Sequence, residues 1–109
     1  GILASCQAVS DAGKIGEINV TGLGLPSEMA GCVESGATES FAIWNPIDLG
    51  YSATMIAHAL ATGAATAEPG AEIPTGRMGS VTLDDTTTAA MSDPFTYDAS
   101  NIDQFKDIF

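Results

Sequence analysis

A tryptophan and an asparagine stand side by side at Trp44-Asn45, at the end of the apolar run Ser40-Phe41-Ala42-Ile43 and directly before Pro46. The indole offers a flat π face, and the neighbouring amide can both donate and accept hydrogen bonds. Such a pair suits a sugar, whose apolar ring face packs on the indole while its hydroxyls are read by amide and carboxyl groups. The same residues also fit a purely architectural reading, with Trp44 a core anchor and Asn45 a helix N-cap. Asp48 is then a first-turn acid favoured by the helix dipole. A second turn, Gly22-Leu23-Gly24-Leu25-Pro26-Ser27, contains Gly-x-Gly but lacks the third glycine of a dinucleotide fingerprint, and a proline stands near its place. That excludes a nucleotide cradle. It leaves a tight turn whose backbone amides can line a cleft at a helix N-terminus.

Other reactive residue types are scattered. His58 is the only histidine and falls mid-helix, with no Ser, Cys or carboxylate at a spacing that would make it a base or a metal ligand. No Gly-x-Ser-x-Gly elbow occurs, Asp84-Asp85 sits in a turn, and Arg77 stands alone among acids. No catalytic residue, metal or cofactor is expected. Cys6 and Cys32 fit neither a disulfide-dense framework nor a metal knuckle and read as two small apolar helix residues. A disulfide between them would suit an oxidising compartment, so compartment stays open on this evidence.

The elements that must position these residues follow from composition and period. The chain has 109 residues, 45% of them hydrophobic, enough for one modest core. Fourteen Asp and Glu against three Lys and Arg give a formal charge of −11, which excludes nucleic acid as a partner and disfavours an anionic membrane surface. No apolar run approaches the ~18 residues of a membrane span, and no basic segment precedes an apolar one as in an export signal. The chain opens at Gly1 inside an apolar repeat and is read as a soluble piece of something longer.

Ile2, Leu3, Cys6 and Val9 share one face of a helix that stops at Gly13. Ile18–Gly24 reads as a buried strand, and Pro26 to Ser35 as a helix with Met29, Cys32 and Val33 inward and Gly36 as its stop. Ser40–Trp44 is a second strand. Ile47 to Thr62 is the longest helix, with Leu49, Ala53, Ile56, Ala57 and Leu60 on its apolar stripe. This alternation predicts an α/β fold with a parallel sheet over 1–63. Beyond it, 64–109 reads as a loop, a β-hairpin pairing Gly79–Leu83 with Thr88–Met91, the extended Pro94–Tyr97, and a short terminal helix. Ser100 would cap that helix, which ends near Ile108.

Three stretches together resemble a known family. Val20-Thr21-Gly22-Leu23-Gly24-Leu25-Pro26-Ser27-Glu28-Met29, the run Glu39 to Tyr51 through Trp44-Asn45-Pro46-Ile47-Asp48-Leu49-Gly50, and Asn101-Ile102-Asp103-Gln104-Phe105 are similar to the C-terminal part of periplasmic sugar-binding proteins of bacterial ABC importers. The resemblance is chiefly to the rhamnose-binding proteins, with the autoinducer-2 binding proteins as relatives, and it runs the length of the chain. It implies a type I binding protein in the periplasm, whose two doubly wound parallel-sheet lobes close by hinge motion over a monosaccharide for a membrane permease. This chain would supply much of the C-terminal lobe and a hinge-proximal terminal segment, with the signal peptide lying outside it. Ribose-type relatives carry an acidic ligand residue where Gly24 stands and a polar one where Trp44 stands. Exchange of a hydrogen-bonding partner for an aromatic surface fits a 6-deoxy sugar such as rhamnose. The resemblance implies Trp44 as stacking platform, Asn45 as hydroxyl reader and Gly24, Leu25 and Pro26 as a backbone contact. The same fold serves as the sugar-sensing lobe of transcriptional regulators. A lobe cut through its sheet would expose strand edges, so the isolated chain is expected to form a homo-oligomer.

Overall fold

The computed structural model describes residues 1–109, which divide into two compact units, Gly1–Ile43 with Pro94–Phe109, and Trp44–Asp93. The change of composition after Gly63 falls within the second.

The first unit begins with α1 (Ile2–Asp11) and α2 (Pro26–Ser35). Proline at the first position of α2 starts it without sacrificing a helical hydrogen bond, and Gly36, in the left-handed region at φ 80°, ends it. Met29, Cys32 and Val33 of α2 are buried with Cys6, the one buried residue of α1. The two cysteines form a disulfide, their Cα atoms 6.1 Å apart. The expectation of two unlinked apolar cysteines is thereby corrected. Each sits on the inward face of its helix, and helix packing rather than local spacing brings them together.

Opposite the helices, β1 (Ser40–Ile43) pairs with β4 (Phe95–Asp98), antiparallel, from Ser40↔Asp98 to Ile43↔Phe95. The expected parallel sheet is absent. Ile18–Gly24 is no strand but runs beside β1 with a single parallel bridge, Leu23↔Ala42. Gly24 N–H donates to the Ala42 carbonyl at 3.2 Å, and Ala42 N–H to that of Gly22 at 2.9 Å. The ladder ends there because Gly22 lies at φ 148°, while side chains make the flanking bonds. The Thr21 hydroxyl donates to the Ser40 carbonyl at 2.9 Å, and Asn19 Oδ1 accepts from Glu39 N–H at 2.9 Å. Phe41 and Tyr97 fill the core between sheet and helices, joined by Ile102.

The terminal helix is also shorter than expected, a single 3₁₀ turn at Ile102–Gln104. Ser100 does not cap it. Its N–H and hydroxyl both donate to Asp98 Oδ1, at 2.8 and 2.5 Å, and the hydroxyl above all holds the Asp98 carboxyl below its ordinary pKa.

The second unit is built on α3 (Pro46–Ala61), with β2 (Glu72–Pro74) and β3 (Ser80–Thr82) pairing antiparallel from Glu72↔Thr82 to Pro74↔Ser80. The expected hairpin is thus replaced: Ser80–Thr82 pairs backward with Glu72–Pro74 rather than forward with Thr88–Met91. The turn at Asp84 does form, but as a closed local loop. Its Oδ1 accepts from Thr86 N–H at 2.8 Å and Thr88 N–H at 2.9 Å, and the Thr86 hydroxyl is the largest cause of its lowered pKa.

The buried side of α3 also differs from the expected stripe. Ser52 and Ala59 are buried and Ile56 is half-buried, beside Ile73 and Leu83, whereas Leu49, Ala53, Ala57 and Leu60 are exposed. The helix is apolar or small nearly all round, so period alone does not choose a face. Small side chains at Ser52 and Ala59 let β2 come close.

Candidate functional site

Pro46 gives α3 a preorganised first turn, and Asn45 caps it. Asn45 Oδ1 accepts from Ile47 N–H at 2.9 Å and from Asp48 N–H at 3.4 Å. The architectural role open to Asn45 in the sequence is therefore realised. Its Nδ2 donates to no protein atom. Trp44, immediately before, is half-buried, and its Nε1 donates to the Ser92 carbonyl. That bond fixes the indole at its polar edge and leaves the ring face without a hydrogen-bonding duty.

A neighbouring cluster was not legible from residue types. Asp48 Oδ1 takes an ion pair from Arg77 at 2.6 Å, and the guanidinium lies 4.4 Å from the centre of the Tyr51 ring. Arg77 N–H donates to the Tyr51 hydroxyl at 3.2 Å. Arg77 thus selects Asp48 among the acids of its unit. Tyr51 follows Asp48 by three positions on α3, so both face the same turn. The i, i+3 spacing was a signal for the two acceptors, but nothing in the sequence named their cation.

In the first unit, the turn before α2 is mostly committed to packing. Gly24 is buried, and a Cβ there would stand 2.8 Å from Met29 Cγ and 3.0 Å from Ile2 Cγ2. Glycine is required by close approach. Gly24→Ala is expected to destabilise the protein by about 1 to 3 kcal/mol through overpacking; calorimetric unfolding with an unshifted midpoint would contradict it. Pro26 is fully buried, and Ser27 N–H donates to the Phe109 carbonyl at 3.1 Å. Gly24 and Ser27 thus have their amides occupied within the protein. The half-buried Leu25 keeps an N–H with no protein acceptor, while its carbonyl accepts from Glu28 and Met29 N–H.

A shallow cleft of about 360 Å³ in the first unit, lined in part by Ala30, Val33, Ile102 and Lys106, contains none of the expected site residues. No group of His, Cys, Asp and Glu is placed to hold a metal. No helix is long and apolar enough to cross a membrane.

Residues 1–65 match the periplasmic binding protein domain. No curated protein matches the chain. A solved structure of a sugar ABC transporter from Actinomyces odontolyticus is 37% identical, with a TM-score of 0.78 over 96% of this chain and 34% of that one. A solute-binding protein of an ABC transporter from Clostridium phytofermentas, solved with bound L-rhamnose, is 30% identical, with a TM-score of 0.87 over 100% of this chain and 38% of that one. The chain spans about a third of the length of each. The matched family is one of binding proteins rather than enzymes and implies a location outside the cytoplasm, in keeping with the Cys6–Cys32 disulfide. With its 65 N-terminal residues matching the domain and 96% and 100% of its length superposing on the two transporter structures, this chain belongs to the periplasmic binding protein family.

Proposed function

We propose that the protein acts in the periplasm as the solute-binding component of a sugar ABC importer, holding a monosaccharide, rhamnose, for delivery to a membrane permease. Trp44 is the stacking platform and Asn45 the polar reader beside it. Within the first unit, taken by itself, the expected contact turn Gly24-Leu25-Pro26 retains one uncommitted backbone donor, the Leu25 N–H, which we propose as a separate point of contact for a ligand.

The observation that carries this reading is the half-buried indole tethered at Nε1, next to an asparagine whose Nδ2 is uncommitted. A ring so held offers an apolar face at little cost in side-chain entropy, which suits the methyl-bearing face of a deoxy sugar. Both similar structures, one of a sugar ABC transporter and one holding L-rhamnose, support the same class of ligand. The disulfide weighs against the sugar-sensing lobe of a transcriptional regulator, because cytosolic thiols are kept reduced.

Titration calorimetry of the intact protein with L-rhamnose tests the reading. Trp44→Ala is expected to weaken binding by about 1 to 3 kcal/mol, the loss of one well-packed aromatic contact. Unchanged affinity would remove Trp44 from the site.

A further inference from the structure

We infer that Asn45 reads its ligand only as a hydrogen-bond donor, so that the part of the sugar it faces is an acceptor edge, a ring oxygen or a hydroxyl lone pair. The inference rests on the reading of Trp44-Asn45 as a sugar contact and adds the polarity of that contact. A free asparagine amide offers an acceptor oxygen and two N–H donors and can meet a hydroxyl in either sense. Asn45 has lost half of that repertoire. Its Oδ1 accepts from both Ile47 N–H and Asp48 N–H, the first at 2.9 Å, as the N-cap of α3.

The orientation is chemically forced, because turning the amide would set its NH₂ against two backbone donors. Nδ2 therefore points away from the helix, with both N–H groups lacking a protein acceptor. The Asp48 carboxylate stands on the first turn of the same helix and has a cation of its own. Arg77 holds its Oδ1 at 2.6 Å while lying across Tyr51. With Oδ1 committed to the cap and no protein acceptor on Nδ2, the donors of Asn45 remain available to a ligand. Specificity follows: an analogue that presents only a donor at this position, or nothing, leaves two N–H groups unsatisfied.

Asn45→Asp separates the two duties of the residue. Aspartate caps a helix as well as asparagine does and suits the positive end of the helix dipole, but it has no N–H to donate. In the intact protein, the thermal midpoint of Asn45→Asp should stand at or above that of the unaltered protein, while affinity for L-rhamnose falls about tenfold or more. Asn45→Ala, which loses the cap as well, should lose both. If Asn45→Asp binds L-rhamnose unchanged while Trp44→Ala binds it more weakly, the donor role is overturned and the sugar site stands. Equal falls of midpoint and affinity in both Asn45 variants would reduce Asn45 to a structural cap and overturn it as well. Failure of the unaltered protein to bind L-rhamnose overturns the underlying reading, and the donor role with it.

Discussion

Tyr97→Ala is expected to cost the protein about 3 to 5 kcal/mol of stability, the range for emptying a well-packed aromatic site. Tyr97 is 2% exposed and sits at the centre of an aromatic group contributed by β1, β4 and the chain terminus. Its ring stacks on Phe41 at 5.3 Å, and Phe95, Phe105 and Phe109 meet it edge-on at 4.9, 5.2 and 6.4 Å. Those edges come from β4 and the chain terminus and the stacked face from β1, so no one of them can collapse into the void without releasing another. Urea unfolding of the intact protein measures the loss; a change below about 1 kcal/mol would mean that the cluster repacks freely.

A pH scan carries a second signature of the same burial. Desolvation raises the Tyr97 pKa above 10.0, because it disfavours the phenolate. Below pH 10 the ring is neutral in both folded and unfolded states and contributes no pH dependence. Above it, the unfolded chain ionises first, so stability should fall as pH climbs through the unfolded value toward the raised folded one. Tyr97→Phe keeps the ring and should remove that part of the alkaline slope.

Why the central role of Tyr97 was not legible in the sequence is a matter of range. The segment Pro94–Tyr97 could be read as extended, but its partner β1 lies more than fifty residues away, and antiparallel pairing leaves no local mark on either strand. Local marks were sufficient elsewhere. Pro26 and Gly36 bound α2, and Asn45-Pro46 and Gly63 bound α3, because start and stop chemistry is encoded within a few residues of each helix end. The buried face of α3 was not encoded in that way, since Leu49 and Leu60 are as apolar as Ile56 and only the arrival of β2 decides between them. Ile18–Gly24 failed for the opposite reason: its β-branched residues suit a strand, but Gly22 and the side-chain bonds of Asn19 and Thr21 leave one bridge in place of a ladder.

At the site, residue types were readable and commitments were not. The Asn-Pro step announced a cap, which by itself commits Oδ1 of Asn45 and leaves Nδ2, whereas the cation that pairs with Asp48 comes from Arg77, 29 positions further along the sequence. Gly24 and Pro26 likewise stood in a turn that looked open to a ligand, while packing against Met29 and Ile2 closes it around Gly24.

Loss of the Cys6–Cys32 disulfide is expected to lower stability by about 3 to 4 kcal/mol, from the closure entropy of a loop spanning a separation of 26 residues. The cross-link restrains the unfolded chain between α1 and α2, including the stretch Ile18–Gly24 that has no full strand ladder to hold it. α1 depends on it most, since Cys6 is its only buried residue and Leu3 is 43% exposed. Urea unfolding with and without dithiothreitol isolates the effect, because reduction keeps both sulfur atoms and so leaves no cavity. A double Cys6→Ala, Cys32→Ala variant adds the lost sulfur volume and should fall further. Cys6, Cys32 and Tyr97 belong to one buried cluster, so their losses should couple rather than add. If α1 has already detached on reduction, Tyr97→Ala in dithiothreitol will cost less than it does in the oxidised protein. An unchanged unfolding midpoint on full reduction would show that α1 is held by other means.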